Sequence, residues 1–293
     1  MSVFETPLIM GMRNLPANDR LNSPRHLADW IEARLDDGLC WFDHADIYGA
    51  GGHGDHAGER LFGEALAQRP ALAGRVRIVT KIGIVPAHVD ESPWQVKHYA
   101  TDPAYLESSI NAALRRLNVD HIDLLLLHRP DPLSDIDAVG ATLDSAIDDG
   151  RLGSAGVSNH LPAQWRRLQA AMRHSLAGHQ IELSIARSQL LFDGLWDAMR
   201  LDGLPGMAWS PLCGGRLFEN QLGHLLHQLA EDYGATPAGV ALAWLRRIPN
   251  GPVPVVGTLR PERLRAMRDD AGLELTRTEW FALLEAARAC RVP

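Results

Sequence analysis

Four polar residues lie where apolar segments of the sequence end, in a combination suited to proton transfer. Asp43 and Tyr48 follow an apolar segment that leads into a glycine-rich loop, Lys81 lies in Arg-Ile-Val-Thr-Lys-Ile-Gly, and His128 ends Ile-Asp-Leu-Leu-Leu-Leu-His. None of these side chains suits an apolar core. Because the carboxyl ends of the parallel strands of a barrel meet on one face, we expect the four side chains to lie together there.

The residue types indicate chemistry at a carbonyl group. A lysine among apolar residues has a lowered pKa unless a carboxylate retains its charge, and Asp43 is the expected partner of Lys81. A cation held beside Tyr48 is expected to lower the phenol pKa from about 10, which makes Tyr48 a candidate proton donor. His128 could donate a hydrogen bond to the same substrate oxygen. The hydride for such a reduction must come from a reduced nicotinamide.

Each residue also has an ordinary structural interpretation. Asp43 could cap a turn, Tyr48 could line a rim, Lys81 could extend to solvent, and His128 could be a hydrogen-bonded core residue. For any one of them alone, that interpretation is favoured. Their shared position at the ends of three successive strands favours the catalytic interpretation.

Apolar periodicity indicates the elements that would hold these residues. Strands are predicted at 8–12, 41–47, 76–82, 122–127, 154–157, 179–183, 207–209 and 253–256. Helices are predicted at 25–35, 59–66, 103–117, 135–149, 162–172, 190–201, 222–233, 237–246, 261–269 and 277–289. Eight strand-helix units in 293 residues predict an α/β fold, a (β/α)8 TIM barrel in a single domain over 1–293 with an extra C-terminal helix.

The composition of the chain limits the kinds of molecule that it is expected to bind. The formal net charge of -7 and the lack of a basic tract argue against nucleic acid and anionic membranes. No apolar segment reaches the roughly 18 residues of a spanning helix, and no signal pattern begins the chain. The three cysteines have no paired spacing. We expect a cytoplasmic protein that acts on a small molecule, while the sequence carries no signature of oligomeric state.

Several motifs resemble those of the aldo-keto reductase superfamily, in the family's order and over nearly the whole chain. They are Phe-Asp-His-Ala-Asp-Ile-Tyr-Gly (42–49), Val-Thr-Lys (79–81), Leu-Arg-Arg-Leu-Asn-Val-Asp-His-Ile-Asp (114–123), His-Arg-Pro (128–130) and Gly-Val-Ser-Asn (156–159). The segments 128–132, 180–184 and 208–212 are similar to its bacterial oxidoreductase branch. The resemblance implies an eight-stranded barrel, bound NADP(H), and Asp43, Tyr48, Lys81 and His128 as a catalytic tetrad with Tyr48 as general acid.

The resemblance also assigns residues to the cofactor. Ser158, Asn159 and Gln180 would hold the nicotinamide carboxamide, and Trp209 would stack on the ring rather than only pack in the core. The full set that the resemblance assigns to the cofactor is Gly11, Met12, Ser158, Asn159, Gln180, Trp209, Ser210, Leu212, Thr258, Arg260 and Arg263.

Arg263 matches the family's arginine for the adenosine 2′-phosphate, with Thr258 and Arg260 assisting. Pro261 is expected to begin a helix whose free amides add to an anion site. A fixed guanidinium suits a phosphate better than a ribose hydroxyl, so NADPH is predicted, with NADH as a weaker alternative.

Some positions depart from the family pattern. Gly257, Ala266 and Met267 replace residues that often contact the cofactor, which leaves dual cofactor use open. His44 replaces a common threonine, and a histidine there is expected to titrate near neutral pH. Because the sequence ends soon after the last predicted helix, we expect an open pocket and broad specificity, with the irregular segment 85–102 shaping the pocket and Trp94 as a wall.

Two other functions stay open. A catalytically weak relative that acts as a regulatory or redox-sensing subunit would bind NADP(H) tightly without turnover. A metal-dependent barrel hydrolase would bind zinc through His53, His56 and Glu59, with His44 and Asp55 nearby, but the glycine-rich loop defines no geometry and no metal is predicted. The glycines of 49–54 match a dinucleotide-binding spacing without its strand-helix context, so we interpret them as a loop over the site.

Overall fold

The computed structural model describes residues 3–49, 55–89 and 93–291. The strands of this part, in chain order, are β1 (Ile9–Gly11), β2 (Trp41–Asp43), β3 (Arg77–Ile82), β4 (Ile84–Val85), β5 (His98–Tyr99), β6 (Leu124–Leu127), β7 (Ala155–Ser158), β8 (His179–Glu182), β9 (Gly206–Trp209) and β10 (Val253–Val256). All except β4 and β5 form a closed barrel in the order β1-β10-β9-β8-β7-β6-β3-β2. This confirms the predicted fold class.

Helices alternate with the barrel strands as the sequence predicts. They are α1 (Pro24–Asp36), α2 (Ala57–Gln68), α3 (Pro103–Leu117), α4 (Ile136–Asp148), α5 (Pro162–Ala171), α6 (Leu195–Leu201), α7 (Asn220–Tyr233), α8 (Pro237–Arg246), α9 (Pro261–Asp269) and α10 (Arg277–Arg288). None of the described helices combines the length and the apolar character needed to cross a membrane.

Contacts divide the chain into two compact units, one of Gly11–His179 and one of Met1–Met10 with Gln180–Pro293. The expectation of a single domain over 1–293 stays a prediction. In the Gly11–His179 unit, β2 pairs with β3, β3 with β6, and β6 with β7, all in parallel. The four leucines of β6 are all buried, as is usual for a parallel strand covered on both faces.

Local signals set the helix boundaries in this unit. α3 begins with Pro103 after Asp102, whose carboxylate accepts a hydrogen bond from the Tyr105 amide, and it ends at Asn118 in the left-handed conformation. Helix α2 packs closely on α3 at Gly63, where a Cβ would lie 2.0 Å from the Arg116 carbonyl oxygen. Only glycine allows this approach.

In the other unit, β1 and β9 flank β10 in parallel. The predicted extra helix is α10, which begins with a capping box of Thr276 and Glu279. The rings of Trp244 in α8 and Trp280 in α10 stack with centroids 4.6 Å apart. Each indole donates to the other residue's carbonyl oxygen, at 3.0 and 2.9 Å. These contacts hold α10 against α8.

Two predictions about the strands were wrong. Segment 85–102, predicted to be irregular, contains β5, which pairs antiparallel with β4 to form a hairpin after β3. Strands of two residues are too short to produce a periodic signal. β2 ends at Asp43, so Tyr48 lies in a turn and not at the end of a strand. Backbone groups of this turn bond to each other and not to a neighbouring strand, and Tyr48 N, for example, donates to Ala45 O at 3.1 Å.

Candidate active site

The Lys81 ammonium lies against the Asp43 carboxylate. Its Nζ donates to both Asp43 oxygens and to the His44 carbonyl oxygen, each at 2.7 Å. Both side chains are 2 % exposed. Burial by itself lowers the pKa of Lys81, but the neighbouring Asp43 and Tyr48 oxygens outweigh it and raise that pKa. The predicted ion pair is present, and Lys81 stays charged.

Strand register explains why these two residues meet. Asp43 is opposite Val79 on β3, two residues before Lys81. The pairing continues past the end of β2, because His44 N donates to Val79 O at 2.7 Å and Asp46 N donates to Lys81 O at 3.0 Å. The carboxyl ends of β2 and β3 are therefore held side by side.

Tyr48 is positioned by the turn that follows β2. Its carbonyl oxygen accepts a hydrogen bond from the Gly58 amide at the start of α2, at 3.2 Å. Lys81 Nζ lies 5.2 Å from the centre of the phenol ring.

The pKa of the Tyr48 phenol lies above its ordinary value and not below it as expected, although Lys81 does act to lower it. Burial raises the pKa of Tyr48, and Lys81 only partly offsets this effect. The reason is that Asp43 already compensates the lysine charge, while burial removes the hydration that a tyrosinate needs. Tyr48 is therefore a protonated phenol at neutral pH.

His128 follows β6 and is 7 % exposed. Its amide donates to Ile82 O at 2.9 Å, which aligns it with the end of β3. Burial and the charges of Lys81, Arg129 and Lys97 lower its pKa to about 2. The imidazole is neutral, and its Nδ1 has no hydrogen-bond partner within the described residues. A neutral ring carries one N–H that can be donated to a substrate.

His44 does not titrate near neutral pH, contrary to the expectation. His44 directly follows β2, and its side chain is fully buried, with its ring 4.6 Å from that of Phe62. Burial and the charge of Lys81 lower its pKa to about 3. Neither ring nitrogen has a hydrogen-bond partner in the described part of the chain.

Glu59 has a structural role that the sequence did not reveal. It is fully buried in α2, where it accepts hydrogen bonds from Thr80 Oγ1 and from Arg116 Nε, both at 2.6 Å. These bonds connect α2 and α3 to the residue before Lys81. The only sequence signal was a carboxylate early in an apolar helix.

The same contacts bear on the zinc alternative. Glu59 is engaged by Arg116, which competes with a metal for its oxygens. Among the residues that the structure describes, no three histidine, cysteine or acidic side chains are grouped as a metal site. His53 lies outside the described residues, so a zinc site that includes it stays a hypothesis. Trp94, the expected pocket wall, is 81 % exposed, and its role stays a prediction.

The residues of the Gly11–His179 unit that the resemblance assigns to the cofactor lie at strand ends or directly after them. Gly11 ends β1, and buried Met12 begins a 3-10 turn. Ser158 ends β7, and its Oγ accepts from Asn159 Nδ2 at 2.6 Å. Asn159 has a positive φ of 58°, which asparagine tolerates better than most residues.

A buried histidine pair supports this strand end and was missed by the sequence analysis. His179 Nε2 accepts a hydrogen bond from the His160 amide at 3.0 Å, and its ring lies 5.2 Å from that of Trp165. Burial is the main cause that lowers the pKa of His160 to about 4 and that of His179 to about 3. Both are therefore neutral.

In the other unit, Gln180 is buried in β8, and Trp209 ends β9. Ser210 follows with a positive φ of 54°, and Leu212 precedes a 3-10 segment. Thr258 lies between β10 and α9.

Arg260 and Arg263 flank the start of α9 and are exposed. Within the described residues, neither guanidinium has an ion-pair or hydrogen-bond partner. The backbone offers fewer free amides than expected, because Arg263 N donates to Arg260 O at 3.1 Å and Arg260 N donates to Thr258 Oγ1 at 3.4 Å. Anion binding at α9 would therefore depend mainly on the guanidinium groups.

Comparison with known proteins identifies the family. Residues 7–288 match the Aldo/keto reductase family. A 6-dehydroglucose reductase of Agrobacterium fabrum is 37% identical over 283 residues, which cover 96% of this chain and 93% of the relative. Oxidoreductase YdhF of Escherichia coli K12 is 39% identical over 276 residues, covering 92% and 90% of the two chains. The chain belongs to the aldo/keto reductase family and is an oxidoreductase similar to bacterial members.

Solved structures agree on the fold. The thermostable aldo-keto reductase Tm1743, solved with the inhibitor epalrestat, has a TM-score of 0.77 at 24% identity and covers 96% of this chain and 94% of its own. An aldo/keto reductase of Klebsiella pneumoniae, solved with NADP and acetate, has a TM-score of 0.75 at 23% identity, with coverage of 97% and 91%. At these identities the likeness supports the barrel and no more.

Proposed function

We propose that this chain is an NADPH-dependent reductase of aldehydes or ketones, with Tyr48 as general acid, that acts on a small carbonyl compound in the cytoplasm. The observation that carries the proposal is the buried pair of Asp43 and Lys81 beside the half-buried phenol of Tyr48. Lys81 Nζ is held 2.7 Å from both Asp43 oxygens and lies 5.2 Å from the Tyr48 ring. Family membership supports it, as does the reductase name of the Agrobacterium relative.

Each residue of the tetrad has a distinct task in this reaction. Tyr48 retains its proton until the carbonyl oxygen gains negative charge, and then donates it. Lys81 stabilises the tyrosinate that forms, and Asp43 keeps Lys81 charged and in place. Neutral His128 donates a hydrogen bond to the same oxygen and orients the carbonyl. Bound reduced nicotinamide would supply the hydride to the carbonyl carbon.

The proposed preference for NADPH depends on the start of α9. The exposed guanidinium of Arg263 has no partner within the described residues, so its donors are available to a 2′-phosphate. Arg260 and Thr258 are close to it in sequence and would assist. At the carboxamide end, Ser158, Asn159 and Gln180 offer hydroxyl and amide groups that can both donate and accept.

The test is the Tyr48→Phe variant, assayed with NADPH and a panel of aldehydes and ketones. Loss of the proton donor is expected to lower kcat by about 10²- to 10⁴-fold while NADPH binding is retained. Tyr233→Phe is the matched control, because Tyr233 is bonded to Glu279 on the surface and is expected to leave kcat unchanged. Full activity of Tyr48→Phe would refute the assigned acid. Tight NADPH binding by wild type without turnover of any carbonyl would favour a regulatory subunit instead.

A further inference from the structure

The loop between β7 and α5, residues 159–161, is bonded to a buried histidine at the start of β8. The His160 amide donates to His179 Nε2 at 3.0 Å, and the two residues are 5 % and 0 % exposed. A buried backbone amide needs an acceptor, which in most proteins is a carbonyl oxygen. Here the acceptor is a side chain that lies 19 residues further along the chain.

The end of β7 explains why a side chain is the acceptor. Within the strand, Val157 N donates to Gly178 O at 3.1 Å, which is ordinary backbone pairing. β7 ends one residue later, and Asn159 then has a positive φ of 58°, so the chain is no longer extended. The next amide is that of His160, and it bonds to the His179 ring instead of to backbone.

The hydrogen-bond partners define which nitrogen of each ring carries the proton. His179 Nε2 accepts a hydrogen bond, so the proton of this neutral ring is on Nδ1. His160 Nδ1 lies 3.0 Å from Ser158 O, and a carbonyl oxygen can only accept, so the proton of this ring is also on Nδ1. Each histidine therefore supplies one directional bond to the backbone of residues 158–160.

The His179 ring is more than an apolar filler of the core. Its Nδ1 is buried and has no hydrogen-bond partner within the described residues, and an unpaired buried donor lowers stability. The ring packs against Trp165 of α5, with centroids 5.2 Å apart. An apolar side chain could make that contact without an unpaired donor. What a histidine adds at this position is the bond that Nε2 accepts.

The two bonds lie on either side of the residues that the resemblance assigns to the nicotinamide carboxamide. The His160 ring holds Ser158 O, the His179 ring holds the His160 amide, and Asn159 lies between them. Asn159 Nδ2 donates to Ser158 Oγ at 2.6 Å. Because β7 pairs in parallel with β6, this loop lies at the same edge of the sheet as His128.

We propose that His160 and His179 are positioning residues, which fix the backbone on both sides of Asn159 and so orient Ser158 and Asn159 toward the nicotinamide carboxamide. This inference rests on the proposed function, from which it takes the ligand. A loop that is already held in its binding conformation loses less conformational freedom when the ligand binds. Loss of either bond is therefore expected to weaken binding of the nicotinamide half of the cofactor.

The test is calorimetric titration of the full chain with NADPH and, separately, with adenosine 2′,5′-bisphosphate, which has the 2′-phosphate and lacks the nicotinamide. His179→Leu removes the acceptor of the His160 amide, and His160→Leu removes the donor to Ser158 O. Each variant is expected to weaken NADPH binding by about two- to tenfold, the usual effect of one lost hydrogen bond. The affinity for the bisphosphate is expected to stay unchanged.

Two conservative variants are the matched controls. His179→Gln retains an amide oxygen near the position of Nε2, and His160→Asn retains an amide nitrogen near the position of Nδ1. Both are expected to restore most of the NADPH affinity that the leucine variants lose. His160→Leu leaves the buried His179 in place, so it tests the pair even where His179→Leu does not fold.

Three results would overturn the positioning role. One is an equal loss of affinity for NADPH and for the bisphosphate, because a general loss of structure does not distinguish the two ligands. Another is unchanged NADPH affinity in both leucine variants. The third is a selective loss that His179→Gln and His160→Asn do not restore, since packing and not a hydrogen bond would then be its cause.

Carbonyl reduction by wild type separates this inference from the proposed function. Turnover of a carbonyl together with unchanged NADPH affinity in the leucine variants would overturn the positioning role and leave the proposed function intact. A selective and restorable loss of NADPH affinity in a protein that reduces no carbonyl would support the positioning role and overturn the proposed function. Absence of NADPH binding to wild type would overturn both.

Discussion

The cation of the tetrad and the cation near the start of α9 differ in both burial and pairing. Lys81 is 2 % exposed, and three oxygens accept hydrogen bonds from its ammonium group. Arg263 is exposed, and its guanidinium has no partner in the described residues. A buried charge without a partner costs several kcal/mol, whereas an exposed one is stabilised by water. Burial therefore forces pairing inside the protein, and exposure leaves a charge available for a ligand.

The largest expected effect comes from removal of the buried cation. Lys81→Met leaves the Asp43 carboxylate buried without its partner, which we expect to cost about 3–5 kcal/mol of the free energy of unfolding. Turnover should be lost as well, because tyrosinate formation at Tyr48 is no longer stabilised. Urea denaturation and steady-state kinetics measure the two effects.

The double variant Lys81→Met/Asp43→Leu separates stability from catalysis. An apolar pair of similar volume is expected to restore most of the free energy of unfolding and none of the activity. Equal stability of Lys81→Met and wild type would show that the buried Asp43 carboxylate does not need Lys81 as its partner. That result would contradict the explanation given above.

Removal of the exposed cation should lower the affinity for the cofactor without lowering the stability of the protein. Arg263→Ala is expected to weaken NADPH binding by about 1.5–3 kcal/mol, the usual contribution of a hydrogen bond to a charged group, and to leave the free energy of unfolding unchanged. Quenching of tryptophan fluorescence by NADPH measures the affinity. NADH serves as the internal control because it lacks the 2′-phosphate, and an equal loss for both cofactors would contradict the assignment.

An effect that is absent at neutral pH and grows only with acidity concerns the buried ring of His44, whose nitrogens have no hydrogen-bond partner in the described residues. The folded-state pKa of His44, about 3, lies below that of an unfolded histidine, about 6.5. The unfolded chain therefore binds the proton more tightly. Stability due to the neutral ring is full above about pH 6.5 and is lost as pH falls from there toward 3, by about 1.4 kcal/mol per pH unit.

His44→Leu tests this reading, because the ring contacts Phe62 and neither nitrogen has a hydrogen-bond partner in the described residues. Between pH 6 and 4 its free energy of unfolding should depend less on pH than that of wild type, by about 1.4 kcal/mol per pH unit. His26→Leu on the surface of α1 is the control. Identical pH slopes for wild type and His44→Leu would contradict a buried neutral histidine.

Much of the architecture could be predicted because its signals are local. α3 and α9 have the predicted bounds, since proline at the first helical position and the apolar spacing act within one helix. The hairpin of β4 and β5 could not be predicted, because its strands of two residues are defined by each other and not by their own pattern.

The candidate site shows the same division between local and long-range causes. The sequence alone predicted the barrel, the pairing of Lys81 with Asp43, and Tyr48 and His128 as reacting groups, because apolar patterns and residue types are readable without coordinates. The choice of Arg263 came from the resemblance to the family. Only the tertiary structure decided that the pKa of Tyr48 is raised, that His44 is neutral, and that Glu59 bonds to Thr80 and Arg116. Desolvation depends on every group packed around a side chain, and those groups come from distant parts of the chain.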